Sequence, residues 1–395
     1  MANRKGSLKN SSLNDFGGKV MNASTSESFT VTTRRAHEFT FNYIRTGIRS
    51  AIGAAAIVIA GCGAALAGSQ ALWVANGANV LEFNTPGGVH NEKPKLILNS
   101  GAFGAPQGVV FDAAGNLWVI DGGTVAAQGT IAPSLEEFTQ QQLKNLDKDP
   151  TPAPNVQVKS NAFVFPQQAV FDGNGNMWVS DNMANEVFVI TPAQLAAGGT
   201  VDPTTTIESD PPFTGPLGIV LHNGNLYIAN NGTTTIFEFN ANHLPAVGSG
   251  VHVLVPDVTL DDDGNGSIQA PWALIFDKEG DLWSSNANAP FTLVEFGAGQ
   301  ITSSGMPTPM TTISPTMVKV SKHTLDTDLA APNGIAFDAN GDLAAISSAT
   351  PFGIADFSPK EVKKGGAEKP KSFNVGGNTT LNAPAGDNFG PDIKP

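Results

Sequence analysis

Five stretches of this chain share one pattern: a proline, a short strand usually ending in Phe-Asp, a glycine turn, and an apolar-aromatic strand that stops at Asp, Asn or Ser. They read PQGVVFDAAGNLWVID from Pro106, PQQAVFDGNGNMWVSD from Pro166, PLGIVLHNGNLYIAN from Pro216, PWALIFDKEGDLWSSN from Pro271 and PNGIAFDANGDLAAIS from Pro332. Their starts lie 60, 50, 55 and 61 residues apart, a period that points to a propeller or a solenoid. Two partial copies decide between them. Ala71–Asn76 (ALWVAN) matches only the second strand, and Ala383–Phe389 (APAGDNF) only the first. Joined, they form a sixth unit, and a ring closed by both chain ends leaves no terminal sheet edge open. The expected fold is all-β: a six-bladed β-propeller over residues 69–391 with a short tail at 392–395.

Within one unit, the copy at Pro166 serves as the pattern. Ala169–Phe171 forms the inner strand, Asp172 to Gly175 turns, and Asn176–Ser180 forms the second strand. Asp accepts backbone hydrogen bonds in such a turn and Gly175 supplies the positive φ. A third strand follows at Glu186–Ile190, matched by Val80–Phe83, Leu135–Phe138, Ile236–Phe239, Leu293–Phe296 and Ile354–Phe357. Outer strands are less regular, with Asn155–Lys159, His252–Val255 and Met317–Val320 as candidates. Trp73, Trp118, Trp178, Tyr227 and Trp283 fill one repeat position, which marks them as core between blades. Ala344 breaks the series, so the last blade is expected to be looser there.

Composition fits this reading and narrows the partners. The chain has 43 Gly and 27 Pro and is only 14% charged, as suits many short strands joined by turns. Residues 1–50 hold eight Lys/Arg against three Asp/Glu, a net of +5, so the remainder carries −18 of the overall −13. No arginine follows Arg49. A strongly negative fold without guanidinium groups is poorly suited to phosphate backbones, which argues against nucleic acid.

Residues 1–44 are polar and are expected to be a disordered tail. Residues 45–68 resemble an export signal or anchor helix, with Arg45 and Arg49 ahead of an uncharged run. Ile59-Ala60-Gly61-Cys62 resembles the lipobox of bacterial lipoproteins, which would make Cys62, the single cysteine, a lipidation site. Ala65-Leu66-Ala67 offers an ordinary cleavage site instead, and an uncleaved helix is the third choice. Each of them puts the propeller outside the cytoplasm, either lipid-anchored at a bacterial envelope or periplasmic or secreted, and a monomer is expected. Without a second cysteine there is no disulfide, so packing and strand pairing must close the ring.

The repeat resembles NHL-type repeats and the six-bladed propellers of the streptogramin lyase and gluconolactonase (SMP-30) families. That resemblance implies the fold but not an activity, since the group holds lyases, lactonases and binding modules. In gluconolactonase-like enzymes it implies a divalent metal over the channel, held in part by the residue after the repeat proline. Those positions are Gln107, Gln167, Leu217, Trp272, Asn333 and Ala385. Only Asn333 suits a metal, and no carboxylate stands among them. The lyase resemblance implies catalytic histidines and a glutamate, yet His90, His222, His243, His252 and His323 are scattered, and His222 replaces the turn Asp.

A second ring is formed by the residues ending the second strands: Asn76, Asp121, Asp181, Asn230, Asn286 and Ser347. They are expected to share the channel mouth with Gln107, Gln167, Trp272 and Asn333, although Asp and Asn there also cap turns. Separately, Asp261, Asp263, Asn265 and Gly266 fit DxDxNG, the first half of a calcium loop, whose twelfth position is Trp272 rather than Glu. Calcium or another divalent cation is therefore the candidate cofactor. The rings hold amides, small residues and two acids, without a base or electrophile, which favours binding over catalysis. The leading reading is an envelope module that binds a protein, peptide or glycan. The alternatives are a metal-dependent lyase or lactonase using Asp121, Asp181 and Asn333, and a structural surface protein.

Overall fold

The computed structural model describes residues 70–84, 93–126, 129–319, 325–350, 352–375, 381 and 384–391. The tail, the apolar segment and Cys62 lie outside the described residues. Among those described, no helix is long and apolar enough to cross a membrane.

Six antiparallel sheets follow one another along the chain. Blade 1 pairs Gln70–Asn76 with Asn79–Asn84 and then Leu96–Leu98, and takes its inner strand, Pro384–Pro391, from the far end of the chain. That closing pair runs from Gln70 opposite Pro391 to Asn76 opposite Pro384. Blade 2 is Pro106–Phe111, Leu117–Asp121, Ser134–Phe138 and Val156–Lys159. Blade 3 is Pro166–Phe171, Met177–Asp181, Glu186–Ile190 and Thr205–Ser209. Blade 4 is Pro216–His222, Asn225–Asn230, Thr235–Phe239 and Val258–Asp261. Blade 5 is Pro271–Phe276, Leu282–Asn286, Leu293–Phe296 and Thr311–Ile313, and blade 6 is Pro332–Phe337, Leu343–Ser347, Gly353–Phe357 and Ser372–Val375.

The repeat wording maps onto this architecture residue by residue. Asp172 Oδ1 accepts the backbone N–H groups of Asn174 and Asn176, and Gly175 sits at φ 80°, a conformation that only glycine adopts without strain. Indole N–H groups of Trp118, Trp178 and Trp283 reach the turn carboxylates of Asp112, Asp172 and Asp277 at 3.4, 3.2 and 3.1 Å. Each aromatic face packs against the next blade: Trp73 on Phe111, Trp118 on Phe171, Tyr227 on Phe276 and Trp283 on Phe337, all edge to face. Ala344 is fully buried within the largest apolar cluster, alongside Leu329 and Leu381, so the expected looseness at that position is absent.

After the third strand, the chain reaches back to the outer strand of the preceding blade. Pro150 accepts the N–H of Asn99, Gly199–Thr200 lies parallel to Val156–Lys159, and Gly305 and Gly366 bridge Leu260 and Ile313. Blade 3 receives a longer addition, Gly250–Leu254, parallel to Thr205–Ser209. This corrects the expected outer strand at His252–Val255, which belongs to blade 3 and is the fifth strand there. Met317–Lys319 is likewise no outer strand; it pairs with Leu325–Thr327 in a detached hairpin. Both segments carry exposed apolar side chains (Val251, Val253 and Met317), so hydrophobicity gave no sign of which blade they join.

Ending the chain after residue 383 removes the closing strand and bares the inner edge of Gln70–Asn76. We expect such a variant to elute as oligomers and to unfold at lower temperature in size-exclusion and thermal-unfolding measurements. A monomer of unchanged stability would contradict closure by both chain ends.

Candidate functional site

The proline face of the ring is where the expected site residues fall, and they divide into two sets. The first set ends the second strands. Asn76, Asp121, Asp181, Asn230, Asn286 and Ser347 are all buried, none more than 3% exposed. In blades 2 to 6 their polar atoms turn to the chain just ahead of the repeat proline. Asp121 accepts from the backbone N–H groups of Gly104 (2.7 Å), Ala105 (3.0 Å) and Gly123 (2.6 Å). Asp181 accepts from Val164, Phe165, Met183 and Ala184 between 2.8 and 3.1 Å. Asn230 takes the N–H of Thr214, Asn286 that of Gln269, and Ser347 that of Ala330. Asn76 donates to Asn79 across its own turn. Five of the six therefore fasten the loop that delivers the chain to an inner strand.

The second set follows the prolines. Gln107, Gln167 and Asn333 are buried, and Trp272 is half-buried. Gln107 donates to the carbonyl of Ala105. By contrast, Gln167 Oε1, Trp272 Nε1 and both amide atoms of Asn333 are buried without a hydrogen-bond partner. Such atoms are rare in folded proteins, and each calls for a guest, a water or an ion. Three of the six inner strands thus begin with neutral groups able to donate and accept.

These residues do not fit the hard divalent ion that the gluconolactonase resemblance implies. The carboxylates of Asp121 and Asp181 already hold three and four backbone N–H groups, and Asn333 contributes one neutral amide. The calcium-type loop is also organised differently from its motif. Asp262, which lies outside the pattern, receives Gly264, Ser267 and Ile268, while Asp263 receives Asn265. Among the described residues the acids that do converge are Asp277, Asp281 and Glu295, each with one oxygen within 4.8 Å of the others'. Their signal lay in the repeat: Asp281 stands where other blades place Asn116 and Asn176.

Sequence reasoning also missed two acids beneath the proline face. Glu136 is fully buried in the third strand of blade 2; desolvation and the neighbouring Asp121 charge push its carboxyl up to about 7. It accepts from Ser134 and Gln157 through Oε1, and Oε2 is unpartnered. Glu186 in blade 3 is pushed up to about 7 by burial, Glu208 and Asp181. Burial likewise raises Asp121 and Asp181, against the backbone hydrogen bonds that lower them.

Two outcomes follow. Asp181→Ala is expected to destabilise the fold by about 2–3 kcal/mol in denaturant titrations, because several buried N–H groups lose their acceptor, whereas Asp181→Asn costs less. In the folded state Glu136 keeps a proton that the unfolded chain releases above its ordinary value near 4.3. Stability is therefore full below that pH, falls as pH rises toward about 7, and levels off above it. The loss attributable to Glu136 is up to about 3–4 kcal/mol, and Glu136→Gln should flatten the curve between those limits.

No family model matches the sequence, and no curated protein matches it. Among solved structures, a Bacteroides caccae protein of unknown function superposes with a TM-score of 0.50 at 10% identity, covering 82% of this chain and 99% of that one. A chain from a nidogen/laminin complex gives 0.50 at 12% identity, covering 81% and 98%. A streptogramin B lyase gives 0.34 at 15% identity, covering 65% and 66%. At these identities the likeness is one of fold, and the fold is a six-bladed β-propeller.

Proposed function

We propose that the protein is an extracytoplasmic binding module that takes a peptide or glycan at the proline-face mouth of its channel. The observation that carries this reading is the set of buried, unpartnered neutral atoms on Gln167, Trp272 and Asn333. An indole N–H together with carboxamide groups complements hydroxyl and amide groups, which offer both donors and acceptors, better than it complements an ion. Placement outside the cytoplasm rests on the apolar run after Arg49 and the Cys62 motif.

Arrays of glycans and peptides probed with the full-length chain are the test. Asn333→Ala and Gln167→Ala should each weaken binding of the ligands so found by tenfold or more without lowering the unfolding temperature. Binding that survives both substitutions would sink the mouth as the site. For the anchor, mass spectrometry of the mature protein should find a lipid-modified Cys62; an unmodified start at Gly68 would mean simple secretion.

A further inference from the structure

Blade 4 departs from the repeat at two positions that meet in space, on the face opposite the prolines. Blades 2, 3 and 5 pair a turn Asp with the indole N–H of the second-strand Trp. In blade 4 these residues are His222 and Tyr227. The His222 ring lies flat on Phe276 of blade 5, centroids 3.9 Å apart and planes at 13°, and Tyr227 meets the same ring edge-on at 5.0 Å. Beside them opens a cavity of about 400 Å³ between blades 4 and 5.

The chemistry of its wall is one-sided. Glu238 is 7% exposed; its Oε1 accepts from Asn225 at 2.6 Å and is met by the Tyr227 hydroxyl at 3.5 Å. Its Oε2 accepts no hydrogen bond among the described residues, so this buried carboxylate has one oxygen left for whatever enters the cavity. Asp257 lies beside it, with one oxygen on His243 and the other on the N–H of Asn240. Across the cavity, the wall is the Gly280 turn and Ala298, whose N–H donates to Asp281. Asp281 belongs to the cluster with Asp277 and Glu295. In other blades the acids of this region have a partner: Asn116 donates to Asp112 and Glu137 in blade 2, Asn225 to Glu238 in blade 4, and Lys371 pairs with Asp342 and Asp356 in blade 6, whereas blade 5 puts a further acid, Asp281, at the position of Asn116 and Asn225. No lysine or arginine lines the cavity.

An acidic wall lined by no lysine or arginine selects a positive ligand. The volume selects further: at roughly 30 Å³ per water the space is far larger than a bare ion needs, and it falls in the range of small-molecule pockets. Tyr227, Val258 and Ile301 give the wall an apolar strip. We propose that this cleft binds a small aliphatic amine, with an ammonium on Glu238 Oε2 and its methylenes along Tyr227 and Ile301.

Titration calorimetry of the full-length chain with 1,4-diaminobutane at low salt tests the proposal. Saturable binding is expected, with none for the isosteric neutral 1,4-butanediol. Glu238→Gln should weaken the amine at least tenfold. Asp257→Asn, at a more exposed position, should weaken it severalfold and serves if the buried substitution fails to fold. Absence of amine binding, equal binding of the diol, or affinity unchanged in both variants would overturn it. So would calcium or magnesium binding that both variants abolish while the amine gives no heat, since the cleft would then be an ion site.

Discussion

The loops that enter the inner strands of blades 2 to 6 need hydrogen-bond partners, and the residue ending each second strand supplies them. In blades 2 to 6 this residue, Asp121, Asp181, Asn230, Asn286 or Ser347, receives a backbone N–H from one or two positions ahead of the repeat proline. Proline has no N–H of its own, so the preceding residues must anchor the turn. Where the acceptor is Asp it holds three or four donors and stays buried despite the cost of desolvation. With the loops fixed this way, the inner strands start in register, the tryptophans meet the next blade, and the two chain ends can pair across blade 1.

This explains why so much of the fold was legible in the sequence and the sites much less. Pro, Phe-Asp, the turn glycine and the second-strand Trp each perform one steric or hydrogen-bonding task, and that task recurs in nearly every blade, so the period exposes them. Inner, second and third strands all lie where the repeat puts them, as does the pairing of Ala71–Asn76 with the C-terminal segment. No repeated residue marks the outer strands, which is why His252–Val255, part of a strand added to blade 3, and Met317–Val320, whose first three residues pair in a hairpin with Leu325–Thr327, were misplaced. The ring of Asp121 and Asp181 could be located but not interpreted, because an acid that binds a ligand and one that receives backbone N–H groups look alike in sequence.

Residues outside this common scheme are the ones free for function. Gln167, Trp272 and Asn333 occupy one repeat position with three different side chains, and Gln167 Oε1, Trp272 Nε1 and both amide atoms of Asn333 are not used by the fold. His222 and Tyr227 replace an Asp–Trp pair whose only work in other blades is internal. Glu136 and Asp387 place carboxyls where other blades have apolar core; Asp387 is fully buried against Gly334 at the seam between blades 6 and 1, and burial holds it well above the usual carboxylate range. Departures of this kind cost stability, and the latches and interblade packing must offset them.

Amide hydrogen exchange on the native protein tests the latch most directly. The account expects slow exchange at Gly104, Val164, Thr214, Gln269 and Ala330, whose N–H groups lie in loops yet end on buried acceptors. Exchange at these five positions as fast as in an unstructured peptide, with the inner strands still protected, would contradict it.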